Sequence, residues 1–504
     1  MQKMMKRSTF IVMCMALLAM VSQGCKDGGN RVSMPSPVGY DEITMNGDLK
    51  FRLQQNLDLL NAMDSVQYPE TEILSLVSAA SASRKPSIRL NDMITALPSH
   101  LNSLGYIGPD DAAPDENLLA ANGLILKGLC AYYNMSSDRK SLEWISSIAL
   151  NLFVKNKELC TACPLAPGLE GLAEAYRLVG TPEMKEVIDG MIARFLETDL
   201  AAAKASTSAL LSACRGLVSY SEITGESRWV DEARSRWNTY KENGMTENFE
   251  SYRQLGVYGA GSDPSAAAAS FILANKFWQH TADNDYLKVA HLIYFNALCH
   301  MQRSDGSFGS DTCPGEASGP DLSVVSDDVC PLGSMAGAEA LATAAAFTFM
   351  KDGSTIYVLT PRSSSYSFGG LELDVETDYP NEGLVIINVL ANLTGKDAAL
   401  KLFIPSWMNL GIIDRGGKRG QATVGKDGFI TLDKLKTGDK ILLEYTYSPK
   451  QEPVINAKNT KPGQARYFNG PYILSEEGEP ITHLMDPKVS KAAGYHHQIL
   501  FNGF

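Results

Sequence analysis

"YRLVGTPEMK", residues 176–185, ends one helix and starts another. An aromatic residue closes an apolar run, Gly180 and Thr181 break it, and Pro182 opens the next run, with Met184 its first apolar residue. The same arrangement recurs in "YNMSSDRKSL" from Tyr133, "YSEITGESRWV" from Tyr220 and "WQHTADNDYL" from Trp278, with successive starts 43, 44 and 58 residues apart. About forty-four residues is the length of an antiparallel helix pair with its turns, and one pair cannot bury its own apolar face. Several pairs must pack together, as a solenoid or closed into an (α/α)6-type toroid. Apolar residues at three- and four-residue spacing extend this expectation over residues 46–351.

Near residue 352 the period changes. "STIYVLTP", "GLELDVETDYP", "GLVIINVLANLTG" and "FITLDKLKTGDKILLEYTY" are short runs rich in β-branched and aromatic residues, separated by turn residues. Such runs predict an antiparallel β-sandwich over 352–480, followed by an irregular tail at 481–504. The expected fold is mainly α and multidomain, a helical-hairpin toroid followed by a sandwich. With 504 residues, 44% hydrophobic and 20% charged, the chain is long and apolar enough for both cores.

A net charge of −12 and a pI near 5.2, with no basic block, exclude nucleic acid as an expected partner. The N-terminus carries Lys3, Lys6 and Arg7, then an apolar stretch from Phe10 to Val21, then "VSQGC". That is a signal segment, residues 1–24, too short for a membrane span. Its end resembles a bacterial lipobox, which makes Cys25 the acylated residue and 25–45 a polar tether. The expected location is the outer membrane, on the cell surface or periplasmic face, with the membrane reached through the lipid alone. Of nine cysteines, seven remain beyond Cys14 and Cys25. An odd number in an exported chain leaves one thiol unpaired or ligating. Cys160 and Cys163 have CxxC spacing without a second CxxC, which favours a local structural role.

"DGSTIYVLTP" (352–361), "ETDYPNEGLVIINV" (376–389) and "LKLFIPSW" (400–407) resemble a run in the bacterial β-L-arabinofuranosidase family of six-hairpin glycosidases. "LAEAYRLVGTPEMKEV" (172–187) and "RYFNGPYIL" (466–474) are similar to further scaffold segments of that family, so the likeness covers most of 46–480. The resemblance implies a glycoside hydrolase acting on an oligo- or polysaccharide. It also implies a zinc ion held by a Glu-x-Cys pair and two adjacent cysteines, one of them the nucleophile, since zinc stabilises a thiolate. Asp263 and Ser265 fall at the Glu-x-Cys positions, and Val329 and Cys330 at the paired cysteines. A one-residue slip makes Cys330 the nucleophile itself, and Cys313 is a further thiol nearby in sequence. Glu247, in "TENFE" sixteen residues before Asp263, falls at the general acid/base. The expected catalytic residues are therefore Glu247, Cys330 and Asp263. Asp263 and Cys330 are the surviving metal ligands, and the cofactor is zinc or none, because serine is a poor zinc ligand and valine is none. "KASTS" (204–208) and "PLAPGLEGL" (164–172) replace other polar stretches of the family's pocket.

Plainer readings stand beside these. Cys330 is also placed for a disulfide with Cys313 or for simple burial. Asp263 before Pro264 is an N-cap by default, and Glu247 reads equally as a solvated loop carboxylate. Asp311, Glu316, Asp327 and Asp328 sit in Gly/Pro/Ser-rich loops where catalytic carboxylates are often presented. The histidines form no metal pattern, and the tryptophans favour core packing. Two function classes follow: a glycosidase with altered chemistry, or a non-catalytic glycan-binding relative. A lyase or unsaturated-uronyl hydrolase on the same toroid is weaker, since its Tyr/His or Asp/His constellation has no place here.

Overall fold

Each sequence break is a helix terminus with its own stop and start. Gly180, at φ +67°, ends one helix in the left-handed region, and the Thr181 hydroxyl accepts the Met184 N–H at 3.3 Å to begin the next. Ser137 and Asp138 do the same, as do Ala282 and Asp283. The structure is a computed structural model that describes residues 35–63, 69–111, 113–257, 262–309, 330–395, 397–453, 455 and 465–473.

The described helices are α1 (Gly47–Ala62), α2 (Pro69–Ser83), α3 (Ile88–His100), α4 (Glu116–Ser136), α5 (Arg139–Ile148), α6 (Lys157–Ala162) and α7 (Leu169–Val179). There follow α8 (Pro182–Glu197), α9 (Thr207–Thr224), α10 (Arg228–Asn243), α11 (Pro264–Thr281), α12 (Asn284–Ile293), a short turn of helix α13 (Cys299–Met301) and α14 (Pro331–Ala346). Around the axis, α2 packs on α4, α4 on α7, α7 on α9, α9 on α11, α11 on α14, and α14 back on α2. This closed inner ring is backed by an outer set, α1, α3, α5, α8, α10 and α12, each against its inner partner. The result is the expected (α/α)6 toroid. None of the described helices is long and apolar enough to cross a membrane.

An inner helix is covered on nearly every side, so its sequence is apolar and small all round. In α11, most residues from Pro264 to Trp278 are buried, and α14 reads "PLGSMAGAEALATAAA". Between α4 and α7 the backbones touch: a Cβ on Gly171 would lie 1.8 Å from Gly123 O. Polar side chains reaching the axis must pair there. Lys127 of α4 bridges Glu170 of α7 at 2.9 Å and Glu339 of α14 at 2.8 Å. Arg215 of α9 bridges the same two carboxylates, Glu170 at 3.0 Å and Glu339 more closely. Four inner helices thus share one ion cluster. Burial works against ionisation of Glu339, yet Arg215 and Lys127 outweigh it and hold its carboxyl down at about 2.

The strands are β1 (Ser36–Pro37), β2 (Ile43–Met45), β3 (Phe349–Asp352), β4 (Thr355–Val358), β5 (Ser364–Phe368), β6 (Leu371–Thr377), β7 (Leu384–Asn392) and β8 (Ala399–Phe403). The remainder are β9 (Asn409–Arg415), β10 (Lys418–Gln421), β11 (Phe429–Leu432), β12 (Lys440–Thr446), β13 (Lys450–Glu452), β14 (Arg466–Asn469) and β15 (Tyr472–Ile473). One sheet runs β1-β3-β4-β8-β11, a second β10-β9-β12-β7-β6-β5-β2, and a third β13-β14-β15. Buried and exposed residues alternate along β6 and β12, and the inward residues of the first two sheets join one apolar core. Two details correct the sequence reading. Residues 36–37 and 43–45, expected as tether, are edge strands of the two larger sheets, because Ile43 and Met45 are buried on either side of exposed Thr44. The sandwich also contains one parallel pair, β4 with β8, where an antiparallel fold was expected.

Toroid and sandwich meet over Trp278, Leu287, Phe347, Met350, Leu359, Phe403 and Phe429. Beside this cluster His291 of α12 hydrogen-bonds Thr360 Oγ1 at 2.8 Å, and burial pushes its imidazole down to about 3, keeping it neutral.

Glu339→Ala leaves Lys127 and Arg215 with Glu170 as their remaining anion in the cluster and should lower stability by about 1–3 kcal/mol, read by denaturant unfolding. Because Glu339 is held below its ordinary 4.5, its contribution is present above that pH and lost as pH falls toward about 2. Glu339→Gln should flatten that acid limb of the stability profile.

Candidate active site

The first turns of α11 and α14 lie against each other. A Cβ on Gly333 of α14 would fall 2.8 Å from Pro264 Cβ and 3.1 Å from Cys330 Sγ. The two N-cap residues, Asp263 and Cys330, are thereby brought to one end of the toroid. Ser206, the N-cap of α9, joins the same mouth: Thr207 N–H donates to Arg253 O, and the Ser208 hydroxyl hydrogen-bonds the Asp263 carboxylate.

Asp263 Oδ1 accepts the N–H groups of Ser265 at 2.9 Å and Ala266 at 3.3 Å, as an Asp-Pro helix start predicts. Burial pushes its carboxyl up, against the pull of these hydrogen bonds and of nearby Arg253. Cys330 is a free thiol, and of the six free cysteines among the described residues it is the one that is not buried. Its Sγ accepts the Gly333 N–H at 3.2 Å, at the positive end of the α14 dipole. Cys160 and Cys163 are buried free thiols, in keeping with a structural role.

Glu247 is not a solvated loop carboxylate. Its side chain is 5% exposed, its Oε2 accepts the Ile455 N–H at 2.6 Å, and Arg466 Nε lies 3.7 Å away. Arg466 Nη1 also donates to Glu247 O at 3.3 Å, so this loop is clamped to β14 of the third sheet. Phe249, two residues on, has φ +65°, a left-handed conformation that costs energy for an aromatic residue. Its ring is held by the Arg466 guanidinium at 5.0 Å and by Phe468 at 6.2 Å between centroids.

Sequence reasoning missed Glu250 and His300. Glu250 is buried, with His300 Nδ1 3.8 Å from its Oε1, and burial lowers the imidazole to about 4. The pair is built from a loop and the end of an outer hairpin fifty residues later, and its one sequence signal was a second glutamate three positions after Glu247. Also missed was the opposite mouth, where a cavity of about 1030 Å³ opens over the C-terminal ends of the inner helices. The Lys127–Arg215 cluster lines it, and so does Glu222, held down at about 2 despite burial by His280 at 3.1 Å and Lys276 at 2.8 Å. Val329, Cys313, Asp311, Glu316, Asp327 and Asp328 lie outside the described residues.

The zinc set does not fit these residues. Asp263 already accepts two backbone N–H groups and a hydroxyl, Ser265 offers an alcohol, and the neighbour of Cys330 at the second cysteine position is valine. Among the described residues, no three His, Cys, Asp or Glu side chains group as a metal site. What this end of the toroid does present is a carboxyl pushed up by burial at the start of α11 and a partly exposed thiol at the start of α14.

No family model matches the sequence, and no curated protein matches it. Solved structures do. A glycoside hydrolase superposes with a TM-score of 0.72 at 15% identity, over 88% of this chain and 83% of its own. A GH127 β-arabinofuranosidase gives 0.67 at 14% identity over 87% and 85%. A GH127 β-L-arabinofuranosidase from Geobacillus stearothermophilus T6 gives 0.67 at 14% over 84% and 80%. The likeness is one of fold: this chain has the toroid-and-sandwich architecture of those glycosidases.

Asp263→Ala should cost about 1 kcal/mol through the lost cap, whereas Asp263→Asn, which caps as well, should leave the unfolding midpoint in place. Thermal melts of the two variants make the comparison.

Proposed function

We propose that this protein hydrolyses O-glycosyl bonds of a glycan at the cell envelope, using Cys330 and Asp263 without a metal. The observation that carries the reading is the apposition of the α11 and α14 first turns at Pro264 and Gly333, which brings two N-cap residues, a carboxyl raised by burial and a partly exposed free thiol, to one end of the toroid. A helix N-terminus gives a sulfur anion a backbone N–H and the positive end of a dipole, part of what a metal would otherwise supply. The Cys330 thiolate attacks the anomeric carbon, the C–O bond to the leaving group breaks, and Asp263 gives that oxygen its proton. Water then displaces the sulfur, its proton returning to Asp263. Glu247, bound to Ile455 and Arg466, holds its loop against the third sheet, and this reading gives the acid role to Asp263 instead. The fold likeness to β-L-arabinofuranosidases makes β-L-arabinofuranosides the first substrates to try.

A second reading, glycan binding without turnover, is favoured by the hydrogen bonds that already occupy Asp263 and Glu247. Sugar release separates the two. Hydrolysis that falls at least about a thousandfold in Cys330→Ala supports the enzyme. Binding without release in the wild type, unchanged in Cys330→Ala, supports the binder. Asp263→Asn should lower the rate roughly 10²–10⁴-fold, because the cap survives and the proton does not. Since the Asp263 carboxyl is raised, wild-type activity should fall as pH rises through its pKa. Anchoring through Cys25 belongs to the same proposal. Cys25→Ser should abolish metabolic labelling by palmitate and release the protein from the membrane fraction.

A further inference from the structure

Where toroid and sandwich meet, a groove of about 540 Å³ runs along α12 beneath the start of β9 and the β12–β13 turn. Its volume is within the ~300–1,000 Å³ typical of small-molecule sites. Partly exposed Trp407 supplies an aromatic wall, backed by the buried Phe249 and Phe468, and Ser406, Asn409 and Ser448, all exposed, supply hydroxyl and amide groups. Aromatic rings beside uncharged donors and acceptors are what a sugar requires, since its faces are CH-lined and its rim is hydroxyl.

The walls are held in place before any ligand arrives. The Trp407 indole N–H donates to Tyr379 Oη at 3.4 Å, and its ring lies against His291 with centroids 6.0 Å apart. Phe249 keeps its left-handed backbone while its ring packs with Arg466 and Phe468. Asn409 Nδ2 donates to Ser448 Oγ at 3.0 Å on the sandwich side of the groove, a bond that two sugar hydroxyls can replace.

Charge selects the ligand class. Lys288 pairs with Asp285 at 2.7 Å and Lys450 with Glu452 at 2.8 Å. Arg466 lies between Glu452 at 3.6 Å and Glu247 at 3.7 Å. Every charged group among the described lining therefore faces an opposite one, so the groove offers no uncompensated charge to draw an ionic ligand. We propose that this groove is a second glycan site, for a neutral oligosaccharide, distinct from the helix-start mouth. The Glu247 loop separates the two, with its carboxylate on Arg466 and Phe249 in the groove wall. The inference rests on the carbohydrate reading of the protein and adds a place where a longer chain is held outside the reacting centre.

The test is affinity electrophoresis and calorimetry of the full chain in detergent with neutral arabinan, arabinogalactan, xylan and mannan, and polygalacturonate as an anionic comparator. Asn409→Arg and Ser448→Arg, singly and together, fill the groove from exposed positions, and their melting midpoints report whether the fold survives. A neutral polysaccharide bound by the wild type should bind the double variant at least tenfold more weakly at an unchanged midpoint, with polygalacturonate unbound by either. Retention within twofold by the double variant overturns the groove and leaves the carbohydrate reading standing. Binding of polygalacturonate that the double variant loses overturns the neutral-ligand assignment. Wild-type binding to none of the four neutral glycans overturns the groove together with the reading beneath it.

Discussion

The ion cluster of Lys127, Glu170, Arg215 and Glu339 is the constraint around which the toroid is organised. Six inner helices can close a ring only if their facing residues are small or mutually paired. Glycines meet at the α4–α7 seam, and the cluster meets at the axis, joining α4, α7, α9 and α14. Each ion sees two of opposite sign, which is the arrangement that lets largely buried charges persist at the cavity wall. Removing any member takes one of two counter-ions from each partner, so the cluster ties four helices of the ring together.

Closure of the ring decides what happens at the other end. With the ring fixed, the first turns of α11 and α14 must abut, and their N-cap residues become neighbours across Gly333 and Pro264. Asp263 and Cys330 satisfy backbone N–H groups that have no partner inside the helix. The same positions put a carboxyl and a sulfur at one end of the toroid, each on the first turn of its helix.

Much of this was legible in sequence. The forty-odd-residue repeat and the switch to period-two patterning sufficed for the toroid and the sandwich, because both signals come from burial periodicity. Asp-Pro at residues 263–264 was legible as a cap for the same local reason. Three features were not. The Ile43–Met45 strand is three residues long and surrounded by Gly, Pro and Asp, so composition read it as tether. Burial of Glu247 depends on Arg466, more than two hundred residues later, and no local pattern announces such a pairing. The axial ion cluster joins single charges on four separate helices, each of which alone looks like a solvated face. Periodicity reports which face is buried; it is silent about which polar groups meet there.

The central claim is that the thiol at the α14 start works without a metal, and elemental analysis of the purified chain, prepared with neither added zinc nor chelator, tests it most directly. The account predicts zinc far below one per chain in a preparation whose sugar-releasing activity depends on Cys330. Close to one zinc per chain, abolished by Cys330→Ser, would contradict it and would mean that the metal site has been rebuilt from other ligands.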